Sequence, residues 1–279
     1  MKSIVSPEWL AEHLEDSNLV IVDCRFILGQ PDFGGQAYAE DHIAGAYYLV
    51  LNKDLSGPIR EHGGRHPLPD LGTLSLRFGS IGIDASKVVV AYDDQGGMNA
   101  SRLWWLLQFL NHQEVYVLDR GYSSWKAAGY PISSEVPATV DNVTFSPKVQ
   151  RQMLASVDEV RDKLGRAGTI LIDSREERRY LGLEEAIDRA AGHIPGARNY
   201  FWKGVLTEDG AWAGSEIQAE RFQAINKEDE VIVYCGSGVS ACPNVIALHE
   251  AGFPKVKLYS GSWSDWISYE DNPIATGEE

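Results

Sequence analysis

Cys235 stands at the head of a loop, Gly236-Ser237-Gly238-Val239-Ser240, between the apolar run Val231 to Tyr234 and a segment, Ala241 to Ala251, with helical character closed by Gly252. The loop residues are mostly small, so the main chain can wrap closely and aim its N–H groups at one point just ahead of a helix N-terminus. Such a place favours negative charge. A thiol held there is driven toward the thiolate by the amide dipoles and the helix end, and a thiolate is a nucleophile. Pro243 is compatible with this reading, because the first helical turn does not need every N–H. The competing reading is a packing thiol at a strand end. A packing cysteine has no use for Gly-x-Gly behind it, whereas a nucleophile cradled by amides does.

The elements that must position this loop occur twice. The first half runs LVIVDCRF (19–26), DHIAGA (41–46), VVVAYDD (88–94) and the helix SRLWWLLQFL; the second runs TILIDSRE (169–176), GHIPGA (192–197), VIVYCG (231–236) and the helix CPNVIALHEAG. This is duplication. Short β-branched runs alternate with amphipathic helices, the pattern of parallel strands joined by crossover helices. Ser6 and Ser156 are each placed to cap a first helix. The expected division is a first domain over 1–133, a linker over 134–150 with two prolines and no helical periodicity, and a second domain over 151–279, with the acidic tail after Ile274 fraying. Where the second half has Tyr234-Cys235 the first has Tyr92-Asp93, with Asp94-Gln95-Gly96-Gly97-Met98 expected to keep the loop shape. The thiol chemistry therefore belongs to the second half alone, and the first half becomes a wall of the site.

CGSGVSA (235–241) is one residue from the CGSGVTA loop of the 3-mercaptopyruvate and thiosulfate sulfurtransferases, and the tandem plan with one active half resembles the rhodanese superfamily over nearly the whole chain. The resemblance implies an α/β fold of two rhodanese-like domains, each a mainly parallel sheet flanked by helices. It implies that Cys235 takes sulfane sulfur from a small anionic donor as a persulfide and passes it to a thiol, thioredoxin or cyanide, with no metal or organic cofactor. The loop amides of Gly236, Ser237, Gly238, Val239 and Ser240 would hold the sulfur. Asp173 to Gly182 resembles the family's DSRxxxRYLG segment, whose second arginine binds the anionic donor and maps to Arg179; a guanidinium suits a carboxylate or sulfonate. Mercaptopyruvate-specific relatives have a second arginine in the following loop, here Arg189. Their Asp and His, proposed to work with the loop serine as a proton relay, correspond to His66 in HPLP and to Ser237, with Asp54 one residue out of register. Neutral Gly236 and Ser237 after the cysteine favour 3-mercaptopyruvate over the thiosulfate dianion.

Other candidates read as structural. His42 and His193 occupy equivalent places in both halves, and the pair Asp23/Arg25 recurs as Asp173/Arg175 where the nucleophile is absent. Trp104, Trp105, Trp125 and Trp266 read as core and domain-interface residues. Cys242 is either a core thiol or a resolving partner for an oxidised Cys235. The seven histidines form no metal-ligand pattern. A phosphatase of related plan needs an arginine where Ala241 stands, and a non-catalytic binding module commonly lacks the cysteine. The net charge of −15 argues against a nucleic-acid or anionic-membrane partner, since both demand a basic face. No signal sequence or membrane span is read, and three cysteines without disulfide or zinc spacing fit the cytoplasm.

Overall fold

The structure is a computed structural model and describes residues 2–138 and 142–278. Each half builds its own parallel sheet. In the first, the spatial order is Ile4–Val5, Val115–Leu118, Val88–Tyr92, Leu19–Asp23, Tyr47–Tyr48; in the second it is Val256–Leu258, Glu230–Tyr234, Thr169–Asp173, Ala197–Asn199. The registers repeat, with Asp23 opposite Tyr92 and Asp173 opposite Tyr234. Both central strands are buried along nearly their full length, which explains why they read as continuous apolar runs and not as alternating ones. The expected N-caps are present: Ser6 Oγ accepts from Trp9 N–H and Ser156 Oγ from Glu159 N–H.

One hydrophobic core spans both halves. Leu103, Leu106 and Leu107 of the Met98–Phe109 helix share it with Val245 and Leu248 of the Cys242–Glu250 helix, and the two helices pack against each other. A separate apolar cluster lies on the other face of each sheet, one with Trp125 and one with Trp266. Full burial of a side chain of this size contributes about 1.5–3 kcal/mol, so the layer between the sheets ties the halves together.

The repeated polar residues make repeated bonds. Arg25 pairs with Asp23 and Arg175 with Asp173, each at 2.7 Å. His42 and His193 each place Nδ1 2.7 Å from the carbonyl of the tyrosine they stack on, Tyr38 and Tyr180. Tyr92 and Tyr234 hydroxyls accept from the N–H of Ile43 and Ile194.

Two details depart from expectation. The tail after Ile274 is tied down: Ala275 and His193 exchange both main-chain bonds, and Gly277 N–H reaches Leu181 O at 2.9 Å. The loop after Asp93 is also tighter than its counterpart, since its helix begins at Met98, five residues on, while the helix after Cys235 begins at Cys242, seven on. Of the expected linker, residues 139–141 lie outside the described residues, and 142–150 contain no helix or strand.

The tight loop folds around a carboxylate. Asp93 is fully buried and accepts from the N–H groups of Gln95, Gly97, Asn99 and Ala100 at 2.6–2.9 Å. Burial raises its pKa, and the four amides offset part of that rise. Asp93→Ala leaves those donors without an acceptor and is expected to cost about 3 kcal/mol or more in urea unfolding. An unchanged midpoint would mean that the loop does not depend on the carboxylate.

Candidate active site

Cys235 follows the Glu230–Tyr234 strand directly and is 1% exposed. Its N–H donates to Ser262 Oγ at 3.1 Å, and its carbonyl accepts from Trp263 N–H at 2.9 Å, so the entry to the loop is pinned to the 260–264 turn. The N–H of Gly238 points back at Cys235 Sγ from 3.2 Å. That residue has φ +77°, and a Cβ on it would lie 2.1 Å from Ser260 O, so only glycine lets the amide turn inward here.

Arg102 lies beneath the loop. It comes from the Met98–Phe109 helix of the first half, is 0% exposed, and donates to Gly238 O at 3.1 Å and His66 O at 3.3 Å. Among the described residues no carboxylate pairs with it. Burial lowers its pKa, while the Cys242 and Cys235 sulfurs act in the opposite sense. An unpaired buried cation is costly. Negative charge on the neighbouring sulfur therefore relieves Arg102. Cys242 is itself wholly buried beside that guanidinium, with Sγ 3.4 Å from Gly238 O, and burial pushes its thiol up to about 12. It is held as a packing thiol.

His66 reaches across from the first half. Its Nδ1 is 2.7 Å from Ser237 Oγ and its Nε2 is 3.1 Å from Asn52 Oδ1. Burial, followed by the charges of Arg102 and Arg65, pushes its pKa down to about 4, so the ring is neutral at physiological pH. With Asn52 accepting from Nε2–H, Nδ1 is free to accept the Ser237 hydroxyl proton. Asp54 is not the third member of this chain. Its carboxylate accepts from Val50 N–H and pairs with Arg77 at 3.0 Å, and a neutral amide takes the place where the resemblance expects an acid.

Beside the sulfur loop lies a cavity of about 190 Å³. Gly236, Ser237, Val239 and Ser240 form one wall; His66, Phe26, Leu51 and Met98 from the first half face them, and Arg179 and Arg65 contribute the cationic lining. Arg179 donates to both oxygens of Glu185 and to Asp188 Oδ2 at 2.9 Å, whereas Arg178 is exposed and pairs with Glu184. Arg189 does not line this cavity: its guanidinium donates to the carbonyl of Ile267. The neighbouring Asp188 is the residue of this loop that pairs with both Arg179 and Arg65. Sequence reasoning missed Asn52, Arg65, Arg102 and Asp188. Only Arg102 carried a signal, a lone cation in the otherwise apolar helix face, which marks a buried charge in need of partners.

A rhodanese-like domain profile matches residues 6–128 and again 156–269. The chain is 40% identical over 280 residues to a probable 3-mercaptopyruvate sulfurtransferase of Pseudomonas aeruginosa, covering 99% of this chain and 98% of that protein. It is 36% identical to a putative thiosulfate sulfurtransferase of Mycobacterium tuberculosis, covering 92% and 90%. The crystal structure of SseA from Escherichia coli, a 3-mercaptopyruvate sulfurtransferase, superposes with a TM-score of 0.81 at 28% identity, covering 95% of this chain and 100% of that one. The chain belongs to the rhodanese superfamily, as a tandem-domain sulfurtransferase.

Two expectations follow from the geometry. Gly238→Ala should abolish sulfur transfer in a protein that still folds, read by turnover beside circular dichroism; retained turnover would show that the loop tolerates another shape. The pKa of His66 lies below its unfolded value of about 6.5, so the unfolded chain binds its proton first as the pH falls. Stability owed to this ring is complete above about pH 6.5 and declines by about 2–3 kcal/mol by pH 4.5. Urea titrations at both values should show a smaller acid loss for His66→Gln than for the parent, and equal losses would contradict the assignment.

Proposed function

We propose that Cys235 is the nucleophile of this sulfurtransferase and that 3-mercaptopyruvate is its preferred donor. The thiolate attacks the donor sulfur, the carbon–sulfur bond breaks with its electron pair going to carbon, and pyruvate leaves after its methylene carbon takes up a proton. The thiol proton of the donor thus ends on pyruvate, and the enzyme keeps one extra sulfur as a persulfide. A thiol, thioredoxin or cyanide then attacks the outer sulfur and releases the Cys235 thiolate. Arg179 holds the donor's carboxylate. Gly236, Ser237, Gly238, Val239 and Ser240 cradle the charged sulfur through main-chain donors.

The observation that carries the donor choice is the 2.7 Å contact between Ser237 Oγ and His66 Nδ1 beside the Cys235 loop. It provides a hydroxyl and a neutral imidazole able to pass a proton to an enolate. Thiosulfate has no need of this, because sulfite leaves as a stable anion. The relatives named above carry both donor names, so the preference rests on the site. Three free cysteines, all of them buried, are in keeping with the cytoplasm. Among the described residues no helix is long and apolar enough to cross a membrane.

Turnover of both donors should vanish in Cys235→Ser. Ser237→Ala should lower turnover of 3-mercaptopyruvate by about a hundredfold, in the range of a lost proton-transfer group, and leave thiosulfate nearly unaffected. Equal losses with both donors would remove the argument for the preference.

A further inference from the structure

Arg65 brings the first domain to the mouth of the cavity. Its segment is fixed on the second domain: Gly63 N–H donates to Asp265 Oδ1 at 2.7 Å, Arg65 N–H donates to Ser264 Oγ at 3.1 Å, and His62 stacks on Tyr269. Gly64, with φ +78°, passes so close to Gly261 O that a Cβ would lie 2.4 Å from it. The Arg65 side chain at the end of this anchored loop is one-quarter exposed, and its guanidinium pairs through Nη1 with Asp188 Oδ1. Asp188 Oδ2 accepts from Arg179 Nη2 at 2.9 Å. One carboxylate therefore holds two guanidiniums, one from each domain.

The remaining donors of the two arginines converge. A Cβ built on Gly236 would lie 2.8 Å from Arg65 Nη2 and 3.9 Å from Arg179 Nη1, so both nitrogens face the residue that follows Cys235. Arg65 Nε is buried and has no hydrogen-bond partner among the described residues. Burial lowers the pKa of Arg65, and the Cys235 sulfur acts against that shift. The two side chains line the same cavity, with donors to spare at one point on its wall. Two cations facing Asp188 and Glu185 leave the mouth with little net charge.

We infer that Arg65 is a second donor-binding residue, that it and Arg179 clasp the anionic end of the sulfur donor from opposite domains, and that Asp188 sets the charge of this clasp for a monoanion. The inference rests on the proposed Cys235 reaction and extends it to a residue of the non-catalytic half. An α-keto carboxylate brings one negative charge and two oxygens to two guanidinium edges. Thiosulfate brings two charges to a mouth that is already close to neutral, and that extra charge is poorly matched.

The test separates the two half-reactions. Persulfide formation is followed against donor concentration without acceptor, and discharge of the loaded enzyme is followed with dithiothreitol, an uncharged thiol. Arg65→Gln should raise the donor concentration for half-maximal loading by about tenfold to a hundredfold, the span set by a hydrogen bond to a charged group, and leave discharge unchanged. Arg65→Lys, which keeps the charge but loses the fork, should fall between and serves as the second variant if the glutamine form folds poorly. Asp188→Asn should raise the efficiency with thiosulfate relative to 3-mercaptopyruvate several-fold. Unchanged loading by folded Arg65→Gln, or equal losses in loading and discharge, would make Arg65 a structural latch only. An unchanged donor ratio in Asp188→Asn would overturn the charge argument. A parent protein that loads no sulfur from either donor would instead refute the Cys235 reaction itself.

Discussion

The fold is arranged so that a side chain able to carry negative charge can sit at the carboxyl end of a central parallel strand, out of water, against main-chain N–H groups. Both halves solve this problem. In the first half the group is the carboxylate of Asp93, each of whose oxygens accepts from two amides, Oδ1 from Gln95 and Gly97 and Oδ2 from Asn99 and Ala100. In the second the equivalent place holds the sulfur of Cys235, the proposed nucleophile, with Gly238 N–H directed at it and a buried arginine beneath. The carboxylate shows what the strand-end loop is built to hold. A carboxylate oxygen lies two bonds beyond Cβ, as the outer sulfur of a persulfide does, so the inactive half carries a permanent counterpart of the charged intermediate proposed for the active one.

From that constraint the division of labour follows. A permanent acid can be enclosed by a short loop, and the helix after Asp93 starts correspondingly early. A sulfur that is loaded and unloaded, as proposed for Cys235, needs a longer loop and an open side, and the Cys235 loop and the cavity beside it have both. The first half has lost the thiol but still serves the second. Arg102 reaches under the sulfur loop, and the segment carrying Asn52, Arg65 and His66 closes over it. The core shared between the Met98–Phe109 and Cys242–Glu250 helices keeps these contributions in register.

What the sequence made legible was local or repeated. Cys235, its small-residue loop, the strand before it and the helix after it depend on neighbours within a few positions, and the duplicated Asp–Arg pair and the duplicated histidines His42 and His193 could be assigned to the fold because they recur in the half without the thiol. What depended on distant approach was not legible. Arg65 meets Asp188 only once the two domains are docked, and no spacing encodes that contact. Arg189 was the natural reading of the loop after Arg179, yet it is the neighbouring Asp188 that meets Arg179 and Arg65, while Arg189 donates to the carbonyl of Ile267 just past the final helix. Asp54 failed for the opposite reason: Arg77, on a separate helix, captures it and leaves the imidazole to Asn52. The tail read as fraying is tied because its partner, His193, lies far back in the chain.

Exposing the protein to 3-mercaptopyruvate without an acceptor, and then mapping its peptides by mass spectrometry, tests the central claim most directly. The account predicts the gain of a single sulfur atom, confined to Cys235, stable until an uncharged thiol is added and then lost. Sulfur found on Cys24 or Cys242, or a Cys235 that never gains it, would contradict the account.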